Sequence, residues 1–335
     1  MKRGVYSLIL LVLVLGLTSY MDLGFNIKDI TGLVIQENNQ IPIEQNNNPI
    51  LTFFCPRDHC ADQLIYLIKK SNKIDCAFFE LDHPDIISAL SKKDHRLVID
   101  GNYKEEVPTT FNAKFDTTKQ FSHNKFCIFD NKIVWTGSMN PTVNGDEKNN
   151  NNVVVVESTV LAQNYNKEFE QLWSGVFGAT KEAQDIQHEL VVNNITLENY
   201  FCPEDNCADE IVSELQKAQQ SIVFMTFAFT HKDILATFLE RQQQGVKIAG
   251  VFEKRQNSKY SNYQPLLDAG AEVTWDNNKA TMHHKFFVID GKTVITGSMN
   301  PSNNGNTRND ENVLIIHDEG IAGSFVNELL LHSVD

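Results

Sequence analysis

Residues 121–141 read FSHNKFCIFDNKIVWTGSMNP and residues 281–301 read TMHHKFFVIDGKTVITGSMNP, the same phrase twice at a separation of 160 positions. Twelve of the 21 positions are identical, and most of these are His, Lys, Asp, Gly, Ser, Asn or Pro. A duplicated core strand keeps its apolar pattern and lets its polar residues drift. Here the apolar positions drift, Cys127 against Phe287 and Trp135 against Ile295, while the reactive side chains stay. The phrase is two copies of a half-site.

Each copy has the order His-x-Lys-x4-Asp-x6-Gly-Ser-x-Asn. The apolar residues around His and Lys favour a strand, and Asp290-Gly291 predicts a tight hairpin turn into Thr293–Thr296, with Asp130-Asn131 at the same turn in copy one. Residues i and i+2 of a strand share a face, so His123 projects with Lys125 and His283 with Lys285. Asp130 and Asp290 complete the catalytic signature but fall near the turn on the other face, placed to orient or ion-pair rather than attack. Beyond the turn Ser138 and Asn140, like Ser298 and Asn300, share a face and read as substrate-binding. Gly137 and Gly297 allow close approach of backbone.

Outward from the phrase, helix-like stretches at 61–70 and 208–219, strands at 74–80 and 221–229, and further helices at 85–91 and 232–243 alternate in both copies. This predicts an α/β fold of two similar halves, each a mixed sheet flanked by helices. The boundaries fall at 1–21 for a signal peptide or membrane anchor, 22–50 for a polar linker, 51–180 for the first half, 181–198 for a connector and 199–335 for the second half. From Cys55 to His123 is 68 residues, and from Cys202 to His283 is 81. The extra length is assigned to a helix within 263–273, whose absence from copy one leaves that side of the cleft more open.

With 335 residues, 41% of them hydrophobic and 21 Phe, the chain can bury a substantial core. A formal net charge of −14 argues against a broad basic surface tracking nucleic acid, while leaving room for a local cationic pocket. Lys2 and Arg3 precede an apolar run from Val5 to about Leu17, shorter than the ~20 residues of a spanning helix. The expectation is export, either secretion or tethering to the outer face of the membrane. Cys55-Pro-Arg-Asp-His-Cys60 and Cys202-Pro-Glu-Asp-Asn-Cys207 then read as local disulfides, against reduced structural cysteines or a four-cysteine zinc site. Cys76 and Cys127 show no obvious partner, and Asn194-Ile195-Thr196 is an N-x-T surface-loop signal.

Two facing half-sites supply two imidazoles, two ammonium groups, hydroxyls and amides around one point. That set suits an anionic phosphodiester: one His attacks phosphorus, the other protonates the leaving oxygen, and Lys and Asn hold the non-bridging oxygens. The lysines supply the positive charge, so no metal or other cofactor is invoked. A metal set of His123, His283 and His284 is disfavoured by the Lys at i+2, and His284, with Asn124 as its counterpart, reads as accessory.

With these residues in place, the chain resembles the phospholipase D superfamily, whose signature is the paired His-x-Lys-x4-Asp followed by Gly-Ser-x-Asn. The resemblance covers about 51–335 and implies two α/β halves related by a pseudo-twofold axis, with the site at their junction and a covalent phosphohistidine. It assigns His123 as nucleophile and His283 as general acid, with the reverse left open. Lys125 and Lys285 become phosphate ligands, supported by Asn140 and Asn300. Related proteins place a Glu after the motif to orient a histidine. Copy two has Glu311 and copy one has Asn151, so His283 is expected to be the better oriented, with the more raised pKa. The expected partner is a phosphodiester, with a phospholipid head-group ester favoured and membrane association through the N-terminus. The alternatives are an exported metal-independent nuclease cutting DNA or RNA and, less favoured, a non-catalytic phosphate-binding module.

Overall fold

The computed structural model describes residues 41–332. The expected signal or anchor at 1–21 and most of the expected linker lie outside them. Among the described residues no helix is long and apolar enough to cross a membrane.

The first half runs β2 (Leu51–Cys55), α1 (Cys60–Lys70), β3 (Lys73–Phe78), α2 (Pro84–Leu90), β4 (Asp94–Asp100), β5 (Ala113–Asp116), β6 (Lys125–Phe129), β7 (Ile133–Gly137), α3 (Val143–Glu147), β8 (Asn151–Glu157) and α4 (Thr159–Ser174), preceded by β1 (Ile43–Glu44). The second repeats the plan: β9 (Glu189–Val192), β10 (Ile195–Cys202), α5 (Cys207–Gln216), β11 (Ser221–Thr226), α6 (Lys232–Gln243), β12 (Lys247–Phe252), α7 (Tyr263–Asp268), β13 (Glu272–Trp275), β14 (Lys285–Ile289), β15 (Thr293–Gly297), α8 (Asn303–Thr307), β16 (Glu311–His317) and α9 (Glu319–His332). The sheet orders are β2-β8-β7-β6-β3-β4-β5 and β1-β9-β10-β16-β15-β14-β11-β12-β13, both mixed. The two halves form a pseudo-twofold α/β fold.

The apolar faces sort into three cores. The central one joins both sheets and takes Tyr165, Phe169 and Leu172 from α4 with Phe325 and Leu329 from α9, so the two C-terminal helices lie between the sheets. The outer cores belong to one half each. Leu64 and Ile68 of α1 pack with Ile86 and Leu90 of α2, and Ile211 and Leu215 of α5 pack with Ile234 and Phe238 of α6. Burial on both faces of each sheet explains why β6 and β14 lack the alternation of a half-exposed strand.

Four readings need correction. Residues 41–50 are not a free tether: β1 pairs in parallel with β9, and the Glu44 carboxylate caps α4 through Thr159 N (3.0 Å). The 181–198 connector is partly sheet, because β9 and the start of β10 form a hairpin whose Asn193-Asn194 turn leaves Asn194 of the N-x-T signal exposed. The extra length of copy two is only partly α7, since α6 has 12 residues where α2 has 7. In copy one a 3-10 turn (Gly101–Glu106) leads from β4 to β5, where copy two has the shorter turn Lys254–Gln256 and then α7. Finally, Cys76 and Cys127 are partners: they face each other across β3 and β6 and form a disulfide. The pairs Cys55–Cys60 and Cys202–Cys207 each close a small loop.

Candidate active site

The two halves are joined at the entries to the repeated phrase. His123 N donates to Asp310 O (2.9 Å) and Asp310 N to Phe121 O (3.0 Å). In the same way His283 N donates to Asn150 O (2.8 Å) and Asn150 N to Thr281 O (2.9 Å). Each histidine is thus laid beside the residue that precedes β8 or β16 of the opposite half. A second layer of cross-half bonds lies behind it: Thr136 Oγ1 donates to Asn312 Oδ1 (2.8 Å) and Asn152 Nδ2 to Thr296 Oγ1 (2.7 Å). Buried polar groups paired so completely fix the register of the two halves.

This stitching sends Glu311 to the other histidine. His123 Nδ1 donates to the Glu311 carboxylate, 2.8 Å from each oxygen, while His283 Nδ1 meets Asn151 Oδ1 (2.9 Å) and Ser138 O (3.1 Å). The expectation that Glu311 orients His283 and raises its pKa is therefore corrected on both counts. Burial lowers His283 well below the ordinary imidazole value, helped by Lys285 and Lys125, and lowers His123 likewise. Both histidines line the cleft, and the ring hydrogen bonds they make among the described residues run through Nδ1. Burial also raises Glu311, to about 8, against the pull of Lys125 and Ser298.

Both motif lysines are buried. Lys125 Nζ donates to His123 O (2.7 Å) and lies 5.2 Å from the centre of the Phe79 ring, and Lys285 Nζ repeats this with His283 O (2.8 Å) and Phe227 (5.2 Å). Each Phe also packs edge-on against its histidine, at 4.9 Å for Phe79–His123 and 5.0 Å for Phe227–His283. Burial lowers Lys125 to about 7 against the attraction of Glu311 and Glu80, and it lowers Lys285 well below the usual lysine range. Two buried amines depressed in this way, with few counter-charges, hold their protons most readily beside an anion.

Other signature residues do different work from that expected. The Asp130 carboxylate accepts from Asn72 N (2.9 Å) and Lys73 N (2.8 Å), and Asp290 accepts from Gln219, Gln220 and Ser221 N. Both sit at the hairpin turn with positive φ, 51° and 52°, and tie it to the strand start alongside. Neither is among the residues that line the cleft. Ser138 and Ser298 are fully buried and are not among the residues that line the cleft. Ser138 Oγ donates to Asn151 (3.1 Å) and Ser298 Oγ to Glu311 (2.7 Å), so each hydroxyl fixes the group that holds a histidine. Gly137 and Gly297 permit this: a Cβ there would meet Asn152 O or Asn312 O at 2.2 Å. Asn140 and Asn300 do line the cleft, each with a buried Oδ1 that has no partner among the described residues.

The cleft has a volume of about 540 Å³, and His123, His283, Asn140 and Asn300 line it together with Phe79, Phe121 and Phe227. Sequence reading missed Phe79, Phe227 and Glu80. Their signal was the aromatic residue that follows the buried strand in both copies, FFE at 78–80 and FAF at 227–229. His284 faces away from the cleft, with Nδ1 on Asn152 (3.2 Å) and Nε2 on Glu328 (3.3 Å). Both of its nitrogens are engaged, so no three-histidine set forms. Elsewhere, Glu198, Glu214 and His317 bring ligand atoms within 4.8 Å of one another, but His317 Nε2 already pairs with Glu198 and Glu214 with Lys217.

The family model for the cardiolipin synthase, PLD-like domain matches residues 64–173 and 211–330, once in each half. A phospholipase D of Rickettsia typhi is 32% identical over 127 residues, covering 38% of this chain and 62% of that protein. A mitochondrial cardiolipin hydrolase of Chlamydomonas reinhardtii is 32% identical over 112 residues, covering 33% of this chain and 50% of its own. The chain thus matches between half and two thirds of these relatives' length. The crystal structure of a Haemophilus influenzae phosphatidylserine synthase superposes with a TM-score of 0.61 at 11% identity, covering 88% of this chain and 89% of that one, which shows a shared fold. With a family match in each half and the paired motifs brought together at their junction, the chain belongs to the phospholipase D superfamily.

Proposed function

We propose that this chain is a phosphodiesterase that hydrolyses, or transfers, the head-group ester of a membrane phospholipid through a phosphohistidine. One observation carries the reading: two histidines and two asparagines from both halves line one cleft, a buried lysine is bonded to the backbone of each histidine, and Nδ1 of the histidines is held by unequal partners. Glu311 makes His123 the better nucleophile, because the ring that turns positive when Nε2 bonds phosphorus draws Glu311, raised by burial, into its carboxylate form against Nδ1–H. His283 meets only neutral oxygens, so its imidazolium holds the proton weakly and gives it up readily.

In the first step His123 Nε2 forms the N–P bond as the P–O bond to the head-group alcohol breaks, and His283 protonates the departing oxygen. Water then attacks phosphorus and gives its proton to His283, and the N–P bond breaks. An alcohol in place of water gives transfer. Lys125, Lys285, Asn140 and Asn300 hold the two non-bridging oxygens as their charge grows. An anionic diester between the lysines also restores their ammonium form, so binding takes up protons.

The three phenylalanines lining the cleft and the acidic net charge support a lipid. The apolar N-terminal run and the three disulfides support an exported enzyme, secreted or tethered. A second reading, a nuclease, draws on exposed Lys254, Arg255, Lys259 and Lys279 around the copy-two rim. Incubation in EDTA with phospholipid vesicles, plasmid and single-stranded DNA separates the two. Head-group release without nicking is expected, and nicking alone overturns the lipid reading. His123→Asn is expected to abolish both turnover and the acid-labile phosphoenzyme.

A further inference from the structure

The two walls of the cleft differ in charge although they share one fold. Two residues beyond Phe78, which pairs with Lys125, stands Glu80. Two residues beyond Thr226, which pairs with Lys285, stands Ala228. Both line the cleft. Glu80 Oε1 accepts from Asn140 Nδ2 (2.5 Å), so a carboxylate is fixed directly against a proposed phosphate ligand. Asp82 and Glu106 are close enough to act electrostatically on Glu80, and Glu105 is exposed nearby. Lys104, in the same turn, turns aside toward the Phe115 ring (5.8 Å). On the facing wall Gln256 and Thr281 line the cleft, and Arg255 Nη1 donates to Thr281 Oγ1 (2.6 Å). The copy-one wall thus carries a fixed carboxylate where the copy-two wall has Ala228, while an exposed lysine stands at the same place on both, Lys119 and Lys279.

A carboxylate beside an anion site costs affinity for the very group the site binds, so its presence needs a compensating use. Resting on the phosphodiesterase reading above, we infer that Glu80 is a specificity-determining residue that admits a diester with one phosphate and rejects a substrate carrying a second phosphate across the copy-one wall. A polynucleotide must run over both walls to place its scissile phosphorus between the histidines. Its flanking phosphate then meets Glu80 and Asp82 on one side, whatever it gains from Arg255 on the other. A cardiolipin head presents its second phosphate to the same choice. A phosphatidylethanolamine or phosphatidylcholine head brings no second anion. Excluding an unwanted substrate with a fixed like charge is a common route to discrimination.

Three substrates at pH 7 in EDTA test this with the full chain: phosphatidylethanolamine mixed micelles, cardiolipin mixed micelles and a single-stranded oligothymidylate. The wild type should favour phosphatidylethanolamine. Glu80→Gln keeps an acceptor for Asn140 and removes the charge. It should raise kcat/KM on cardiolipin and on the oligonucleotide, relative to phosphatidylethanolamine, by about tenfold. Added salt should narrow the wild-type preference and shift that of Glu80→Gln less. A variant that merely damaged the fold would lose all three activities together. An unchanged ratio in Glu80→Gln overturns the filter and leaves lipid hydrolysis standing. A wild type that cuts the oligonucleotide freely, or cleaves none of the three, overturns the functional reading as well.

Discussion

Glu311 of the second half holds His123 of the first, with both carboxylate oxygens 2.8 Å from Nδ1. On the proposed roles, neither half therefore completes the nucleophile alone. Glu311→Gln keeps the shape and Ser298 as a neighbour but removes the charge that stabilises a phosphorylated ring. A loss in kcat of about a hundredfold is expected on a chromogenic phosphodiester. The yield of phosphoenzyme after rapid acid quench should fall with it, and a full burst with slow release would show instead that Glu311 serves the second step.

The signature aspartates should behave in the opposite way. Burial pushes Asp290 up, but the backbone N–H groups of Ser221, Gln219 and Gln220 outweigh it and hold the carboxyl below its usual range. Its contribution to stability is therefore present above the unfolded pKa and is lost as pH falls through the lower folded one. Asp290→Ala should cost about 1–3 kcal/mol in chemical denaturation and leave kcat/KM within about twofold. A large loss of activity in a variant of full stability would return Asp290 to the catalytic set.

The disulfides differ in what they constrain. Cys76–Cys127 spans 51 residues, while Cys55–Cys60 and Cys202–Cys207 each span 5. On the chain-entropy argument, removing the long link by Cys76→Ala with Cys127→Ala costs about 4 kcal/mol, roughly twice the loss for either short loop. Calorimetry of the three double variants under non-reducing conditions gives the order directly. An equal loss for all three would place the effect in the native packing around each bridge.

The repeat at 160 positions was legible because chemistry constrains polar residues more tightly than apolar ones, and this exposed the two halves, the turn residues Asp130 and Asp290 and the glycine approach at 137 and 297. The partners of those residues were not legible. Glu311 lies 28 positions after His283 and 188 after His123, and only the pairing of Asp310 with His123 across the halves decides between them. Cys76 and Cys127 likewise meet only through the register of β3 and β6. Ser138 and Ser298 looked like ligands because their alternation is that of the strand. Their burial follows from the close approach that the preceding glycine allows.

Asn151 supplies the pH prediction. It faces His283 where Glu311 faces His123, with Ser138 as its donor just as Ser298 serves Glu311. Asn149 is placed as Asn309 is, so a Glu at 151 meets much the same donors. As the proposed proton donor His283 has to act protonated, and burial with Lys285 and Lys125 alongside lowers its pKa. The acid form is therefore lost as pH rises through that lowered value, and kcat/KM should fall with a midpoint on the acid side of about 6.5. Asn151→Glu brings an opposite charge to Nδ1, favours the imidazolium and should move that midpoint up by about one unit. The comparison needs only kcat/KM between pH 4 and 9 on one soluble diester, about the range over which the histidine titrates. A midpoint that stays, or moves down, means that His283 is not the proton donor and that the roles of the two histidines are exchanged.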